Sequence, residues 1–258
     1  MAFLDYGHAL VRDLPWSYAP AYAPKGIRID AALAVSQHEA YVRALEQAGV
    51  AVARVPADEN FYDCVFVEDT AIVWRDRALI TRMTAHRQGE QAAVAGLLRR
   101  SHQVTEVSAA ARLEGGDVLH TEDTTYVGLT ARTNDRGAAE LAEFFSAFDR
   151  RVVPVPVTGA LHLKTATTYL GNGRLLMAPG YVDARAFDVD DIVFCAEGEA
   201  AAANCLRVRD TLIVRSGYPR TGRLLEGFAE RHAVRLAPLD LSEFEKGDGS
   251  ATCLSLLW

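Results

Sequence analysis

The chain has 258 residues, 50 % of them hydrophobic and 24 % charged, so it can bury a sizeable core, and it holds no apolar run near the length of a membrane span. A formal net charge of −7 with no concentrated Lys/Arg tract argues against nucleic acid as the main partner and is compatible with a small cationic substrate. The four cysteines, Cys64, Cys195, Cys205 and Cys253, form no CxxC and keep no regular spacing with histidine, which argues against a zinc cluster or a disulfide framework.

The opening residues, Met-Ala-Phe-Leu-Asp-Tyr-Gly-His, lack the basic and apolar regions of a secretory signal, and a cytoplasmic location is expected. A strand is predicted from Ala9 to Leu14. After it comes an aperiodic loop, about residues 14–28, with three prolines and the aromatics Trp16, Tyr18 and Tyr22. Such a loop suits a lid over a cavity. A helix is expected from Ile29 to Gln47, with Ala32, Val35, Ala40 and Leu45 on its apolar face, and then a strand from Val50 to Val55.

Four hairpins follow. Ala71–Trp74 returns as Ala78–Thr81, leading to a helix from Gln88 to Arg100 and a strand from Gln103 to Val107. Asp117–His120 returns as Thr124–Leu129, with a helix from Arg136 to Phe148 and a strand from Val152 to Val157. The third, Thr165–Leu170 and Arg174–Met177, turns at Asn172-Gly173, the strongest two-residue hairpin signal. The fourth, Asn204–Val208 and Thr211–Arg215, leads to a helix from Arg220 to His232 and a strand from Val234 to Pro238. Hairpins recurring at roughly 40 to 50 residues predict a ring of ββαβ units. The apolar terminus Cys253–Trp258 would pair with the N-terminal strand and close a fifth unit, giving one catalytic domain over residues 1–258.

A ring leaves a central cavity on which loops at strand ends converge. Cys253, at the start of a buried strand after Gly247-Asp248-Gly249, would be aimed into it as a nucleophile; the competing reading is a buried cysteine acting as a small hydrophobe. Of the histidines, His162 lies just before the third hairpin, while His86 and His120 sit near strand or turn ends. Glu68-Asp69 and Glu114-Gly115-Gly116-Asp117 set carboxylates immediately before hairpin strands, at equivalent points of successive units. Carboxylates around one cavity suit a guanidinium, whose fork of donors matches them.

The set Asp63-Cys64-Val65-Phe66-Val67-Glu68-Asp69, Ala131-Arg132-Thr133-Asn134, Leu161-His162-Leu163-Lys164-Thr165, Ala203-Asn204-Cys205, Gly217-Tyr218-Pro219-Arg220-Thr221 and Asp248-Gly249-Ser250-Ala251-Thr252-Cys253 closely resembles the dimethylarginine dimethylaminohydrolases, members of the guanidino-modifying superfamily with arginine deiminases and amidinotransferases. The resemblance implies a five-bladed α/β propeller that converts asymmetric dimethylarginine or monomethylarginine to citrulline and a methylamine with no metal or cofactor. By motif, Cys253 resembles the nucleophile, His162 the general acid and base, and Glu114 the carboxylate that holds the guanidinium and orients the histidine. Asp63, Phe66, Glu68 and Asp69 resemble substrate ligands, and Arg87 and Arg132 match positions that bind the α-carboxylate end. Partners other than a small guanidino substrate are not expected, beyond a monomer or homodimer.

The chain has Glu-Gly-Gly-Asp where the family often has Glu-Ala-Gly-Asp, and in the lid, where relatives carry a leucine over the substrate, counting back from Asp30 reaches Ala21, beside Tyr22. A differently shaped gate bears on the preference between methylated and plain arginine, so an arginine deiminase or amidinotransferase is the alternative activity. A ring that only binds its ligand is the non-enzymatic one. The carboxylates are expected to raise the pKa of the free Cys253 thiol, and the cationic substrate or a charged His162 to lower it.

Overall fold

In a computed structural model that describes residues 4–258, the chain forms β1 (His8–Arg12), α1 (Tyr18–Tyr22), α2 (Ala31–Gln47) and β2 (Ala51–Val55), then β3 (Ala71–Trp74), β4 (Arg77–Ile80), α3 (Gln91–Leu98) and β5 (Gln103–Glu106). Next come β6 (Val118–His120), β7 (Thr124–Leu129), α4 (Asp135–Ser146) and β8 (Arg151–Pro156), followed by α5 (Leu163–Ala166), β9 (Thr167–Gly171), β10 (Arg174–Met177) and β11 (Asp191–Phe194). The last are β12 (Leu206–Val208), β13 (Thr211–Arg215), α6 (Pro219–His232), β14 (Arg235–Leu239), α7 (Ser242–Glu245) and β15 (Leu256–Leu257). The strands make five three-stranded sheets, β3-β4-β5, β6-β7-β8, β9-β10-β11, β12-β13-β14 and β15-β1-β2. In each, the first pair is antiparallel and the second parallel, as a hairpin followed by a crossover requires. This is the expected five-bladed α/β propeller.

The crossover helices bury one stripe each: Ala138, Leu141 and Phe145 on α4, and Leu225, Phe228 and Ala229 on α6. Asp30 starts α2 by accepting from the Leu33 amide at 3.0 Å, and Asn134 starts α4 by accepting from the Gly137 amide at 2.9 Å. The Asn172-Gly173 turn has φ of 54° and 68°, the left-handed pair that a two-residue hairpin needs. Closure of the ring is carried by Leu256 and Leu257, which pair with Leu10 and Ala9, and by the Trp258 carbonyl, which accepts from the Gly7 and His8 amides at 3.0 and 2.9 Å.

Several expectations need correction. Cys253 does not begin a strand; it lies in a 3-10 turn, Thr252–Leu254, and the closing strand is only Leu256–Leu257, because that turn aims the residue into the ring before the chain straightens. The N-terminal strand starts and stops earlier than expected, at His8–Arg12. The 14–28 segment is partly helical, with α1 and a 3-10 turn at Ala23–Lys25 ending in left-handed Gly26. The third blade takes its last strand from Asp191–Phe194 and crosses over through a 3-10 turn at Ala184–Ala186, with no α-helix.

Candidate active site

Each blade is entered through a short helical turn on the ring's inner side: Val67–Thr70 before β3, Gly115–Asp117 before β6, α5 before β9, Ala200–Ala203 before β12, and Thr252–Leu254 before β15. Neighbouring turns pack on one another around the axis. Glu68 and Asp69 lie in the first turn, Glu114 caps the second, His162 caps the third, Asn204 follows the fourth and Cys253 occupies the fifth. Five-fold repetition therefore brings to one centre residues that are far apart in sequence.

Asp63, Phe66, Asp69, Arg87, Arg132, His162 and Cys253 all line one cleft of about 210 Å³. At its base, His162 Nε2 lies 2.8 Å from Glu114 Oε2 and 3.9 Å from Asp69 Oδ1. Burial works against a charged imidazole here, but Asp69, the Glu114 hydrogen bond and Asp117 outweigh it and raise the His162 pKa to about 9. Burial likewise opposes ionisation of Asp69, yet His162 and Arg87 hold it at about 2. Glu114 is also held low, against burial, by its hydrogen bond to His162. At neutral pH the base of the cleft is thus an imidazolium between two carboxylates.

Cys253 has the opposite bias. Burial, then the charges of Glu68 and Asp69, push its thiol up to about 12. The turn that carries it is pinned by Asn204, whose Oδ1 accepts from the Thr252 amide at 3.1 Å and whose carbonyl accepts from the Ser250 hydroxyl at 3.0 Å. Asp117 pins the histidine turn in the same way, accepting from the Leu163 amide at 3.0 Å and the Thr130 hydroxyl at 2.8 Å.

Glycines permit the close approach of these turns. A Cβ on Gly115 would lie 2.0 Å from the Glu68 carbonyl oxygen, and one on Gly116 would lie 2.6 Å from His162 Nδ1. The sequence difference at Gly115 thus falls where the backbone of the neighbouring turn leaves no room for a side chain.

Two residues sit differently from what their motif implies. Glu68 does not line the cleft; it bonds Lys164 Nζ at 2.6 Å and faces a separate cavity of about 120 Å³, although its charge still reaches Cys253. Arg87 lines the cleft, but its guanidinium is given to Asp69 Oδ2 at 2.6 Å and to both Glu90 oxygens. Arg132 bonds Glu114 and the Thr84 hydroxyl through Nη1 alone. Of the three histidines compared in sequence, His86 stands at the exposed end of the cleft, 3.8 Å from Asp63, and His120 is half-buried and lines the separate cavity.

Sequence reasoning missed Asn204, Asp117, Glu90 and Lys164 as positioning residues. Asn204, Asp117 and Lys164 stand inside quoted motifs, and the place of the first two at the start of a predicted hairpin strand was the available signal; nothing marked Glu90. It placed Tyr22 and Lys25 in the lid segment without assigning either to the cleft they line. Tyr22 donates its hydroxyl to Asp63 Oδ1 at 2.8 Å, with the Gly247 carbonyl at 3.3 Å, so α1 lies across the cleft between two walls.

Asp69, Glu114 and His162 offer ligand atoms within 4.8 Å of one another and are the residues that could hold a metal ion. Those atoms are already spent on each other, with Arg87 and Arg132 bonded to the carboxylates, so a dication would have to displace existing ion pairs.

A cysteine, a carboxylate-bound histidine and a ring of acids at the axis of five three-stranded blades define the class, the α/β propellers of the guanidino-modifying superfamily. A family model described as N,N dimethylarginine dimethylhydrolase, eukaryotic, matches residues 23–183. The chain is 36 % identical over 230 residues to the N(G),N(G)-dimethylarginine dimethylaminohydrolase of Pseudomonas aeruginosa, covering 88 % of this chain and 89 % of that one. It is also 36 % identical over 234 residues to the Streptomyces coelicolor protein of the same name, covering 89 % and 87 %. A solved structure of the P. aeruginosa enzyme, a cysteine-to-serine mutant complexed with citrulline, superposes with a TM-score of 0.89 at 32 % identity over 98 % of this chain and 99 % of that one. The N-terminal domain of a cyanobacterial arginine dihydrolase shares the fold, with a TM-score of 0.87 at 21 % identity over 98 % of this chain and 97 % of that one. The chain belongs to the dimethylarginine dimethylaminohydrolase family.

Proposed function

We propose that this protein hydrolyses asymmetric dimethylarginine or monomethylarginine to citrulline and dimethylamine or methylamine, with Cys253 as nucleophile. The observation that carries the reading is the His162–Glu114–Asp69 cluster, a charged imidazole fixed between two carboxylates in the same cleft as an otherwise inert thiol. A guanidinium placed against Asp69 and Glu114 brings a positive charge beside Asp69, one of the two anions that hold the thiol's pKa up, so substrate binding itself favours the thiolate.

The thiolate attacks the guanidinium carbon, forming a C–S bond. His162 donates its proton to the methylated nitrogen, the C–N bond breaks and the amine departs, leaving an S-alkylthiouronium on Cys253. Neutral His162 then takes a proton from water as the water adds to the same carbon. The C–S bond breaks as the added hydroxyl gives its remaining proton to the departing sulfur, so the Cys253 thiol is restored and the neutral ureido group of citrulline remains. Glu114 and Asp69 hold the planar group in line for attack and keep His162 protonated for the first step.

Asp63 and Phe66 line the path from the base to the exposed end. Glu68 contributes its charge from beneath Cys253. Arg132, whose Nη2 makes no hydrogen bond among the described residues, is the cation for the α-carboxylate end; Arg87 supports this end by its charge while bracing Asp69. Residues 1–258 act as one catalytic unit with segment 14–28 as its lid. A cytoplasmic enzyme working as a monomer or homodimer completes the reading; among the described residues no helix is long and apolar enough to cross a membrane.

The test is citrulline formation from asymmetric dimethylarginine, monomethylarginine and arginine in parallel, with Cys253→Ser as the blank. Product from the methylated substrates supports the reading. Product from arginine alone would replace it with a deiminase.

A further inference from the structure

The cleft wall carries five basic side chains, and four of them face an acid. His86 is 3.8 Å from Asp63, Arg87 is bonded to Asp69 and Glu90, Arg132 to Glu114, and His162 to Glu114. Lys25 is the exception. Among the described residues its ammonium has no carboxylate partner; it lies 4.7 Å from the ring centroid of Tyr22 and 5.6 Å from that of Tyr62. These two rings meet edge to face at 5.9 Å, and Tyr62 stacks on His86 at 6.3 Å, so an aromatic platform holds the ammonium at the exposed end of the cleft.

The platform belongs to the lid. Lys25 closes the 3-10 turn that follows α1, and α1 is fastened across the cleft by the Tyr22 hydroxyl, which bonds one wall at Asp63 and lies within reach of the cysteine loop at Gly247. The lid therefore presents an ammonium that makes no direct ion pair among the described residues, although its charge reaches Asp63. With the guanidinium end of an amino-acid substrate held at the base by carboxylates, the end that reaches Lys25 is the α-carboxylate.

We propose that Lys25 is a specificity-determining residue: its ammonium binds the substrate's α-carboxylate from the lid side, opposite Arg132, and makes lid closure depend on that carboxylate. The inference rests on the proposed guanidino chemistry for the orientation of the substrate. It explains how this lid selects amino acids: the closed lid gains an ion pair with an acid and gains nothing from a guanidine that lacks one. The ammonium is exposed, so the gain is that of a solvent-screened, charge-assisted contact, about tenfold in affinity.

The experiment measures Kd of asymmetric dimethylarginine and of its decarboxylated counterpart, N,N-dimethylagmatine, in the Cys253→Ser background, with Lys25 intact and as Lys25→Met or Lys25→Arg. Methionine keeps an apolar stem on the two tyrosines and removes the charge. We expect Lys25→Met to weaken the amino acid about tenfold, to leave the decarboxylated compound within about twofold, and Lys25→Arg to recover most of the loss. An unchanged Kd for the amino acid would overturn the proposal. So would equal losses for both compounds, which would make Lys25 a structural part of the lid. The readout is binding, so absence of citrulline formation by the wild-type protein would refute the proposed reaction separately.

Discussion

Gly116→Ala is a small perturbation with a large expected effect. The added Cβ would stand 2.6 Å from His162 Nδ1, 2.7 Å from His162 Cγ and 3.0 Å from Asp69 Oδ1. Non-bonded heavy atoms prefer roughly 3.5 Å or more, so the imidazole has to give by about 1 Å. The His162–Glu114 bond is 2.8 Å and both partners are buried, which leaves the ring little freedom to move and keep it. Losing a charge-assisted hydrogen bond costs about 1.5 to 3 kcal/mol, and a misplacement of that size can cost about 100-fold in rate, so kcat should fall by about two orders of magnitude. The assay pairs steady-state citrulline formation with NMR titration of His162, whose pKa should drop from about 9 as the Glu114 contact is lost. Gly115→Ala separates position from packing: its Cβ meets a backbone carbonyl at 2.0 Å, so it should lower Tm by several degrees, as an overpacked site costing about 1 to 3 kcal/mol would. A Gly116→Ala protein with kcat within threefold of wild type would refute the claim that the Glu114–His162 geometry governs turnover.

Other consequences are independent of that one. Alkylation of Cys253 by iodoacetamide in the free protein should rise steadily with pH through the range where an ordinary thiol has levelled off, since burial, Glu68 and Asp69 hold its pKa up; a plateau near neutral pH would contradict substrate-assisted activation. His162 is raised in the folded state, so its contribution to stability is full below about pH 6.5 and is lost as pH rises through about 9. Calorimetry should show an alkaline fall in Tm over that window, absent from His162→Gln; the same fall in the variant would show that another group causes it. Arg132→Ala should raise KM more than it lowers kcat, because its free edge serves the remote carboxylate, although its bond to Glu114 will draw kcat down somewhat. A loss confined to kcat would assign Arg132 to the reacting group.

The blades were legible in the sequence because a hairpin, a helix and a strand leave distinct periods, and Asn172-Gly173 marks the turn of the third hairpin. The third blade was incomplete because its crossover is a 3-10 turn with no 3.6-residue stripe to read, so Asp191–Phe194 had no helix to announce it. Equivalent positions in successive units directed Asp69 and Glu114 to one centre, and the family resemblance added Cys253 and His162 to them. The fate of each charge was not. Which acid Arg87 serves depends on Glu90, three residues away, and Glu68 turns from the cleft to Lys164 because the chain folds over it from the third blade. The lid was read as loop because its prolines and aromatics carry no period, and its short helix is held by tertiary contacts of Tyr18 and Tyr22 with Glu243, Asp63 and Gly247.

The central claim is that Cys253 forms a bond to the guanidinium carbon while the methylated amine leaves. Acid-quenched turnover followed by peptide mass spectrometry tests it. With asymmetric dimethylarginine and with monomethylarginine in separate runs, the peptide containing Cys253 should gain the same mass, that of the substrate less its departed amine. An adduct that retained its methyl groups, or one carried on another residue, would contradict it.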